Sequence, residues 1–589
     1  MPKKRKDCFL GIHFDFHAMP GQTVAEFFDP DSFREMLDRV KPDFLQFDTK
    51  GHAGLSSYPT KAGTRADEIR VDLLGFLREE TAKRDIALYG HHSGLFDRKA
   101  IELHPDWAVV NADGTRDTND ISPFSPYADE LLIPQLKELA LDYGLDGGWV
   151  DGECWGSRVD YSPWAVAVYG KPAPRPEDEE YEEYREFCRK GFFRYVTHYV
   201  EEVKKVSPDF EITSNWIFSP YMPHKVCVPV DFLSGDYDCG NAMVSGRRNG
   251  RFFAARGKTW DLMSWGQNAV PLSWETRNRT TKSDVQLMQE ASMILSLGGG
   301  YQFFNIAYCG GGSLQRWALP LWERTAAFCR ERQICHGATP WSNLAIMVPD
   351  RPNDPKNASL FQKNTPGMAA YGAWMDALCE SGFSPNVIFE SELNQTDLSA
   401  YDLLILPFPA EIPETYKGTL IIDGEGEKKL VWLSDGERLA AMEMGMSDAD
   451  GEPFGEIRSQ NYFDQDSTAT PSAYKKGKIY RLAFCFAEAY GKNVSPVLRN
   501  WLRSLIEDTG IEIPVKVSGS SFVEAVTTRK GKDLLVNLIN MNGDHRRPEV
   551  RCYDEIPPLY HLTVRVGDEV RTVEKLEIHE VLVFKDYFA

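Results

Sequence analysis

No stretch of this chain reaches the ~20 consecutive apolar residues that a membrane-crossing helix needs, so nothing in it reads as a transmembrane segment. Its cysteines lack pattern: eleven are scattered from Cys8 to Cys552, an odd number without paired spacing. That argues against a disulfide framework or a cysteine-type zinc site and points to a reducing, cytoplasmic setting. Positive charge is in deficit, 66 Lys and Arg against 87 Asp and Glu, and the net charge of −21 repels nucleic acid and anionic membranes. The basic start, Pro2-Lys3-Lys4-Arg5-Lys6, reads as a frayed, solvated terminus rather than a nuclear-import signal. No uninterrupted apolar core with a small-residue cleavage site follows it, so secretion is not expected. A glycine-rich phosphate loop of nucleotide-binding form is also missing, as are internal repeats and low-complexity linkers.

What remains is an ordinary globular composition, 42% hydrophobic and 26% charged, over 589 residues, enough for two to four domains. Between residue 8 and about 335, short apolar strands alternate with amphipathic helical stretches. The expected strands are Cys8–Asp15, Asp43–Thr49, Ile86–His91, Gly147–Asp151, Glu211–Trp216, Pro229–Ser234, Thr259–Ser264 and Tyr301–Asn305. Helices are expected over Asp31–Val40, Ala66–Lys83, Leu131–Tyr143, Tyr181–Val206 and Ser283–Leu297. Eight such units are the size of a (β/α)8 TIM barrel, assigned to 1–340. A Rossmann-like α/β domain follows over 341–513, with strands at Leu344–Val348, Asn386–Phe389, Leu403–Leu406, Leu430–Leu433 and Ile479–Ala483. The remainder, 514–589, reads as a small β-sandwich built from Phe522–Thr527, Asp533–Ile539, Tyr560–Val566 and Leu576–Phe584.

Alternation separates the faces of the first strands. Leu10, Ile12, Phe14 and Phe16 oppose His13, Asp15 and His17; Leu45 and Phe47 oppose Gln46, Asp48, Lys50 and His52. An inert barrel fills its interior with branched apolar residues, and so many ionisable groups aimed at the axis are costly to bury unpaired. The pattern therefore favours an active site at the C-terminal end of the strands.

The central candidate there is Gly147-Gly148-Trp149-Val150-Asp151-Gly152-Glu153-Cys154-Trp155. Asp151 ends a strand, and Trp149 and Trp155 offer aromatic faces for sugar rings, while a loop-capping Asp is the competing reading. Glu153, two residues on, is expected to share Asp151's face about 6.5–7 Å away. Further acids at the same end are Glu275, beside Trp274, and Asp236. The histidines His13, His17, His52 and His91 fit two roles. They can hydrogen-bond sugar hydroxyls, or they can hold a catalytic metal ion, although strands 5 and 6 supply Asn215 and Asp231 where binuclear hydrolases of this barrel place histidine.

Lys50-Gly51-His52-Ala53-Gly54-Leu55 with Tyr58-Pro59-Thr60, then Gln135 to Gly144 leading into Trp149-Val150-Asp151-Gly152, then Trp274-Glu275-Thr276, then Leu297 to Gly300 with Asn305, together resemble the ordered motifs of family 29 α-L-fucosidases. Two positions depart from that pattern: Asp15 and Gly51 stand where the family has sugar-gripping histidines. The three-part arrangement is similar to family 42 β-galactosidases and family 151 fucosidases. The resemblance implies an exo-acting, retaining, α-L-fucosidase-like glycoside hydrolase without cofactor, acting on an oligosaccharide or glycoside and assembling as a homo-oligomer, a dimer or trimer. It makes Asp151 the nucleophile and Glu275 the general acid/base. Substrate contacts are expected from His13, Asp15, His17, His52, His91, Glu153, Trp155, Trp216, Asp236 and Trp274. A metal-dependent hydrolase using the histidine cluster and a non-catalytic sugar-binding relative are the alternatives.

Overall fold

The structure, a computed structural model, describes residues 3–14, 17–236, 241–269, 279–305, 314–350, 358–362, 365–408, 410–423, 431–432, 438–439, 451–457, 470–543 and 552–589. Two compact units emerge: Met1–Gly337 with Asp354–Gln362 and Asp544–Glu555, and Ala338–Asn353 with Lys363–Gly543 and Ile556–Ala589.

The first unit holds eight parallel strands: β1 (Leu10–Phe14), β2 (Phe44–Lys50), β3 (Ala87–Ser93), β4 (Gly147–Asp151), β5 (Glu211–Ser214), β6 (Leu233–Asp236), β7 (Trp260–Trp265) and β8 (Gly300–Asn305). They pair in the order β6-β7-β8-β1-β2-β3-β4-β5. The end strands β5 and β6 are consecutive in sequence. Trp216 N donates to Ser234 O (3.0 Å), Asp231 N to Ile212 O (2.9 Å) and Thr213 Oγ1 to Phe232 O (2.6 Å). These bonds bring the ends of the sheet together as a TIM barrel.

Helices α1 (Pro30–Val40), α2 (Leu73–Ala82), α3 (Ile133–Leu141), α4 (Tyr181–Lys204), α5 (Ala242–Ala254), α6 (Asp284–Ser296) and α7 (Leu319–Glu331) follow the strands. Their starts have local causes. The Asp29 side chain caps α1 ahead of Pro30, and Ser283 and Gln286 form a reciprocal capping box on α6. The helix expected over Ala66–Lys83 is shorter in the structure because Asp72 accepts from Gly75 N (3.0 Å) and sets the start at Leu73.

The N-terminal mouth of the barrel contradicts the expectation of a frayed basic start. Arg5 is 1% exposed. Its Nε donates to Asp261 Oδ2 (2.8 Å), its backbone N to Glu211 Oε2 (2.6 Å) and its Nη2 to Gln46 Oε1 (3.5 Å). The guanidinium carbon lies 3.5 Å from the centroid of the Phe44 ring. Asp261 also accepts from Ser234 Oγ (2.6 Å) and Gln302 Nε2 (2.9 Å), so its lone pairs are taken up. The cation that looked like solvated tail is a plug, and it is placed by acids more than 200 residues away in sequence.

The second unit has a seven-stranded sheet: β9 (Leu344–Val348), β10 (Asn386–Phe389), β11 (Leu403–Leu406), β12 (Thr419–Ile422), β13 (Glu452–Ile457), β14 (Thr470–Lys476) and β15 (Ile479–Leu482). The order is β10-β9-β11-β12-β15-β14-β13; the first five run parallel and the β13–β14–β15 pairings are antiparallel. The parallel part has the 2-1-3-4-5 order of a doubly wound fold. Of the strand expected at Leu430–Leu433, only Val431–Trp432 lies among the described residues; it pairs with Arg438–Leu439, and the fourth parallel position of this sheet belongs to β12. A four-stranded sheet containing Val523–Lys530, Asp533–Asn540 and His579–Phe584 shares one apolar core with a three-stranded sheet of Val515–Ser518, Leu559–Val566 and Glu569–Leu576, as in a sandwich. The run Leu576–Phe584 breaks between strands instead of forming one, Leu576 ending the first and His579 starting the next.

Candidate active site

Parallel pairing puts partners on the same side of the sheet, so the registers identify what faces the barrel axis. His13 pairs with Gln46, Gln46 with Tyr89 and Tyr89 with Gly147; the next layer pairs Asp48 with His91 and His91 with Trp149; above it Ser93 pairs with Asp151. The alternation read from the sequence is thus correct for His13, Gln46 and Asp48. Lys50 is the exception. A register shift between Asp48 and Lys50 aligns Lys50 with His92, on the helix-facing side. There it is fully buried and bound to Asp97 Oδ2 (2.9 Å) and Tyr127 OH (2.8 Å).

Asp151 is 6% exposed at the C-terminal end of β4. Its Oδ2 lies 3.1 Å from His91 Nε2 and 3.5 Å from His52 Nε2, and its Oδ1 accepts from Asn215 Nδ2 at 2.9 Å. Burial works against a charged carboxyl here. The hydrogen bond and charge of His91, the charge of His52 and the Asn215 amide outweigh it and hold Asp151 well below the usual carboxylate range. An ionised carboxylate therefore sits in a nearly dry pocket.

The surrounding rings are oriented in turn. Ser93 Oγ donates to Phe96 O (2.8 Å), which leaves it to accept from His52 Nδ1 (2.7 Å) and turns the other His52 nitrogen toward Asp151. Gln46 Nε2 lies 2.8 Å from His13 Nδ1. His17, at φ 29° in the left-handed region, packs 4.4 Å from His52 and 5.4 Å from His91, ring centroid to centroid. Trp155 is 42% exposed at the rim, stacked on Phe96 and edge-on to His52. Trp149 offers no such face: it is 1% exposed inside the barrel beside His13 and His91.

Glu153 departs from the expected geometry. Gly152 adopts φ 66°, a conformation open to glycine, and reverses the alternation. Glu153 therefore turns away from the axis into the layer between β5 and α4. There Tyr199 OH donates to Oε2 at 2.9 Å and Ser214 Oγ at 2.6 Å. A Cβ at position 94 would come within 2.4 Å of the Glu153 side chain, so Gly94 makes the space. Burial, with the nearby charge of Asp151, pushes the Glu153 carboxyl up to about 7 against the hydrogen bonds of Ser214, Tyr199 and Tyr195.

Trp216, also in the left-handed region at φ 67°, closes the β5–β6 seam, its ring buried against Tyr221 and over Gly235. Asp236 ends β6, opposite Met263. Asp15, Trp274 and Glu275 lie outside the described residues. Ser93, Ser214, Tyr195 and Tyr199 escaped the sequence reading. Extending the β3 alternation by two residues past His91 would have found Ser93, whereas the Tyr199–Glu153 contact has no local signal. Two sets of side chains can hold a metal ion: His17, Asp48 and His91, and His17, His52 and Asp151, each set placing its ligand atoms within 4.8 Å of one another.

Comparison with known proteins places this geometry in context. A family model described as alpha-L-fucosidase matches residues 3–314, more than half of the chain. Among solved structures, alpha-L-fucosidase isoenzyme 2 from Paenibacillus thiaminolyticus superposes with a TM-score of 0.78 at 16% identity, covering 98% of this chain and 99% of that one. A beta-galactosidase from Rahnella sp. R3 superposes at 0.66 with 14% identity and 98% of both chains. Two curated relatives match more locally. One is a putative alpha-L-fucosidase from Caenorhabditis elegans, 24% identical over 159 residues, 25% of this chain and 30% of the relative. The other is the tissue alpha-L-fucosidase of Mus musculus, 25% identical over 144 residues, 24% and 29%. The match thus spans less than a third of the length of either curated relative.

Proposed function

The chain belongs to the alpha-L-fucosidase family, and on that premise we propose that it is an exo-acting glycoside hydrolase that releases α-L-fucose from oligosaccharides or glycosides. Asp151 is the nucleophile and Glu275 the general acid/base. One observation carries the reading: a carboxylate at the end of β4, inside a barrel mouth, is kept ionised by His91, His52 and Asn215. Glycoside cleavage passes through an oxocarbenium-like transition state, and a buried, oriented carboxylate meets both its needs, charge stabilisation and attack at the anomeric carbon. The partner acid gives its proton to the leaving oxygen as Asp151 bonds the anomeric carbon and the glycosidic C–O bond breaks; the same group, now a carboxylate, then takes a proton from the water that attacks the anomeric carbon and frees Asp151. His13, Asp15, His17, His52, His91, Asp236, Trp155, Trp216 and Trp274 complete the sugar site. Retention of anomeric configuration follows from a nucleophilic Asp151 and is read from the first-formed anomer by NMR.

An aryl-glycoside panel with Asp151→Ala beside the wild type is the test: near-normal turnover by the variant on the best substrate removes the assignment. A second reading has its own observation, the two ligand sets that share His17. Activity abolished by a chelator and restored by zinc would favour a metal-dependent hydrolase. The nine described cysteines are all free thiols, which supports a cytoplasmic setting, and among the described residues no helix is long and apolar enough to cross a membrane. The homo-oligomer, dimer or trimer, is checked by sedimentation equilibrium.

A further inference from the structure

Two arginines on α4 sit where the packing of a helix calls for apolar residues. Tyr184, Cys188 and Phe192 are buried, as the inner face of an amphipathic helix should be. Arg185 and Arg189 are buried with them, at 0% and 2% exposure. Residues four apart on a helix are neighbours, so the two side chains share one region. Each has one acid partner on the helix, and these acids lie toward solvent. Arg185 Nη1 donates to Glu182 Oε2 (2.8 Å), whose side chain is 55% exposed, and Arg189 Nη1 donates to Glu186 Oε2 at 3.4 Å. The other Glu186 oxygen lies 3.8 Å from Lys190 Nζ. The buried acid beside this helix, Asp160, is committed elsewhere: its carboxylate accepts from Ser122 Oγ (2.5 Å), Ser162 Oγ (2.8 Å) and Val110 N (3.1 Å).

Among the described residues, Arg185 Nε and Nη2 and Arg189 Nη2, all buried, meet no hydrogen-bond partner. Nε and Nη2 are the two donors of one edge of the guanidinium fork, the edge that grips an anion from two points. Burial outweighs the charge of Glu186 and, with the like charge of Arg185, brings Arg189 down to about 10, still a cation at neutral pH. Buried cations with unmatched donors are costly. Arg185, Arg189 and Lys190 stand against two carboxylates, Glu182 and Glu186, which leaves one positive charge over. We infer that Arg185 and Arg189 form a binding site for chloride, held by the open edge of Arg185 and by Arg189 Nη2. The near-complete enclosure favours a monatomic ion over an oxyanion, and one negative charge balances the excess. The ion fastens α4 to the barrel and takes no part in chemistry, so the inference does not rest on the reading of Asp151.

Salt replacement tests it on the whole enzyme. Urea unfolding is followed in sodium chloride and in sodium gluconate at the same ionic strength, gluconate being too large to enter. With chloride at ten times its dissociation constant, the folded-to-unfolded ratio should stand about elevenfold above that in gluconate. That advantage should disappear in Arg189→Met and in Arg185→Met. A wild type without the chloride advantage overturns the inference, and so does a folded variant that keeps it. If neither variant folds, wild-type crystals grown in sodium bromide still answer. An anomalous bromine peak against Arg185 Nε and Nη2, together with the chloride advantage, supports the site. A water or an empty space at that edge sinks it. A bromine peak there without any chloride advantage in unfolding is an adventitious ion only, and overturns it as well.

Discussion

At the N-terminal mouth of the barrel Arg5 meets two carboxylates and an amide, Asp261 and Gln46 through its guanidinium and Glu211 through its backbone N–H; at the C-terminal mouth a carboxylate meets imidazoles and an amide. The inventories are alike and the accounts differ in access. Below, Arg5 is sealed by Phe44, Tyr89 and Phe232, and its neighbours Asp261 and Glu211 answer to several donors each. Above, Asp151 retains 9% side-chain exposure beside His52 at 18%, which lies against the exposed Trp155. Charge enclosed on every side fixes a shape, whereas charge with one open side can meet a substrate. The difference between scaffold and site in this barrel is one of enclosure rather than of residue type.

Substitutions at the two mouths test that contrast. Asp151→Ala should lower kcat/KM at least about a thousandfold, with a smaller loss of stability than any change at Arg5; urea unfolding beside steady-state kinetics measures both. Arg5→Ala should do the reverse. Leaving buried Asp261 without its cation costs about 3–5 kcal/mol, while turnover of the folded fraction at low temperature stays near wild type. If Arg5→Ala slows turnover as much as Asp151→Ala does, the two mouths are not separable. Asn215→Ala should cost about 10- to 100-fold in kcat/KM, the worth of one hydrogen bond to a buried charge, about 1.5–3 kcal/mol. The smallest effect concerns pH. A raised carboxyl makes its stabilising contribution below its unfolded value of about 4.3 and loses it as pH climbs through the folded one. Wild type should therefore weaken relative to Glu153→Gln between the ordinary carboxylate range and about 7, as thermal melts across that window would report.

Alternation made the axis-facing His13, Gln46 and Asp48 legible, because a two-residue period is local information, whereas His91 and Asp151 were read from their places at strand ends. It failed wherever the backbone left that period. The register shift after Asp48 carried Lys50 outward, and Gly152 at positive φ turned Glu153 off the axis. Nor does a local pattern announce Arg5, whose partners Glu211 and Asp261 are 206 and 256 residues on. Element positions held where caps are written in the sequence, as Asp29 and Ser283 show, and β12 was passed over in favour of the apolar run at Leu430–Leu433 although Gly418 and Asp423 bracket it.

The plug also sets an order of events. Arg5 is made early, yet its acids arrive only with the fifth and seventh strands, so its contacts cannot form until most of the barrel has been synthesised and closed. Interactions of such long sequence separation belong late on the folding path. Weakening this one should hasten unfolding far more than it slows folding. Arg5, which precedes every strand of the barrel, would then be among the last residues to lock, the latch on a ring that has already shut.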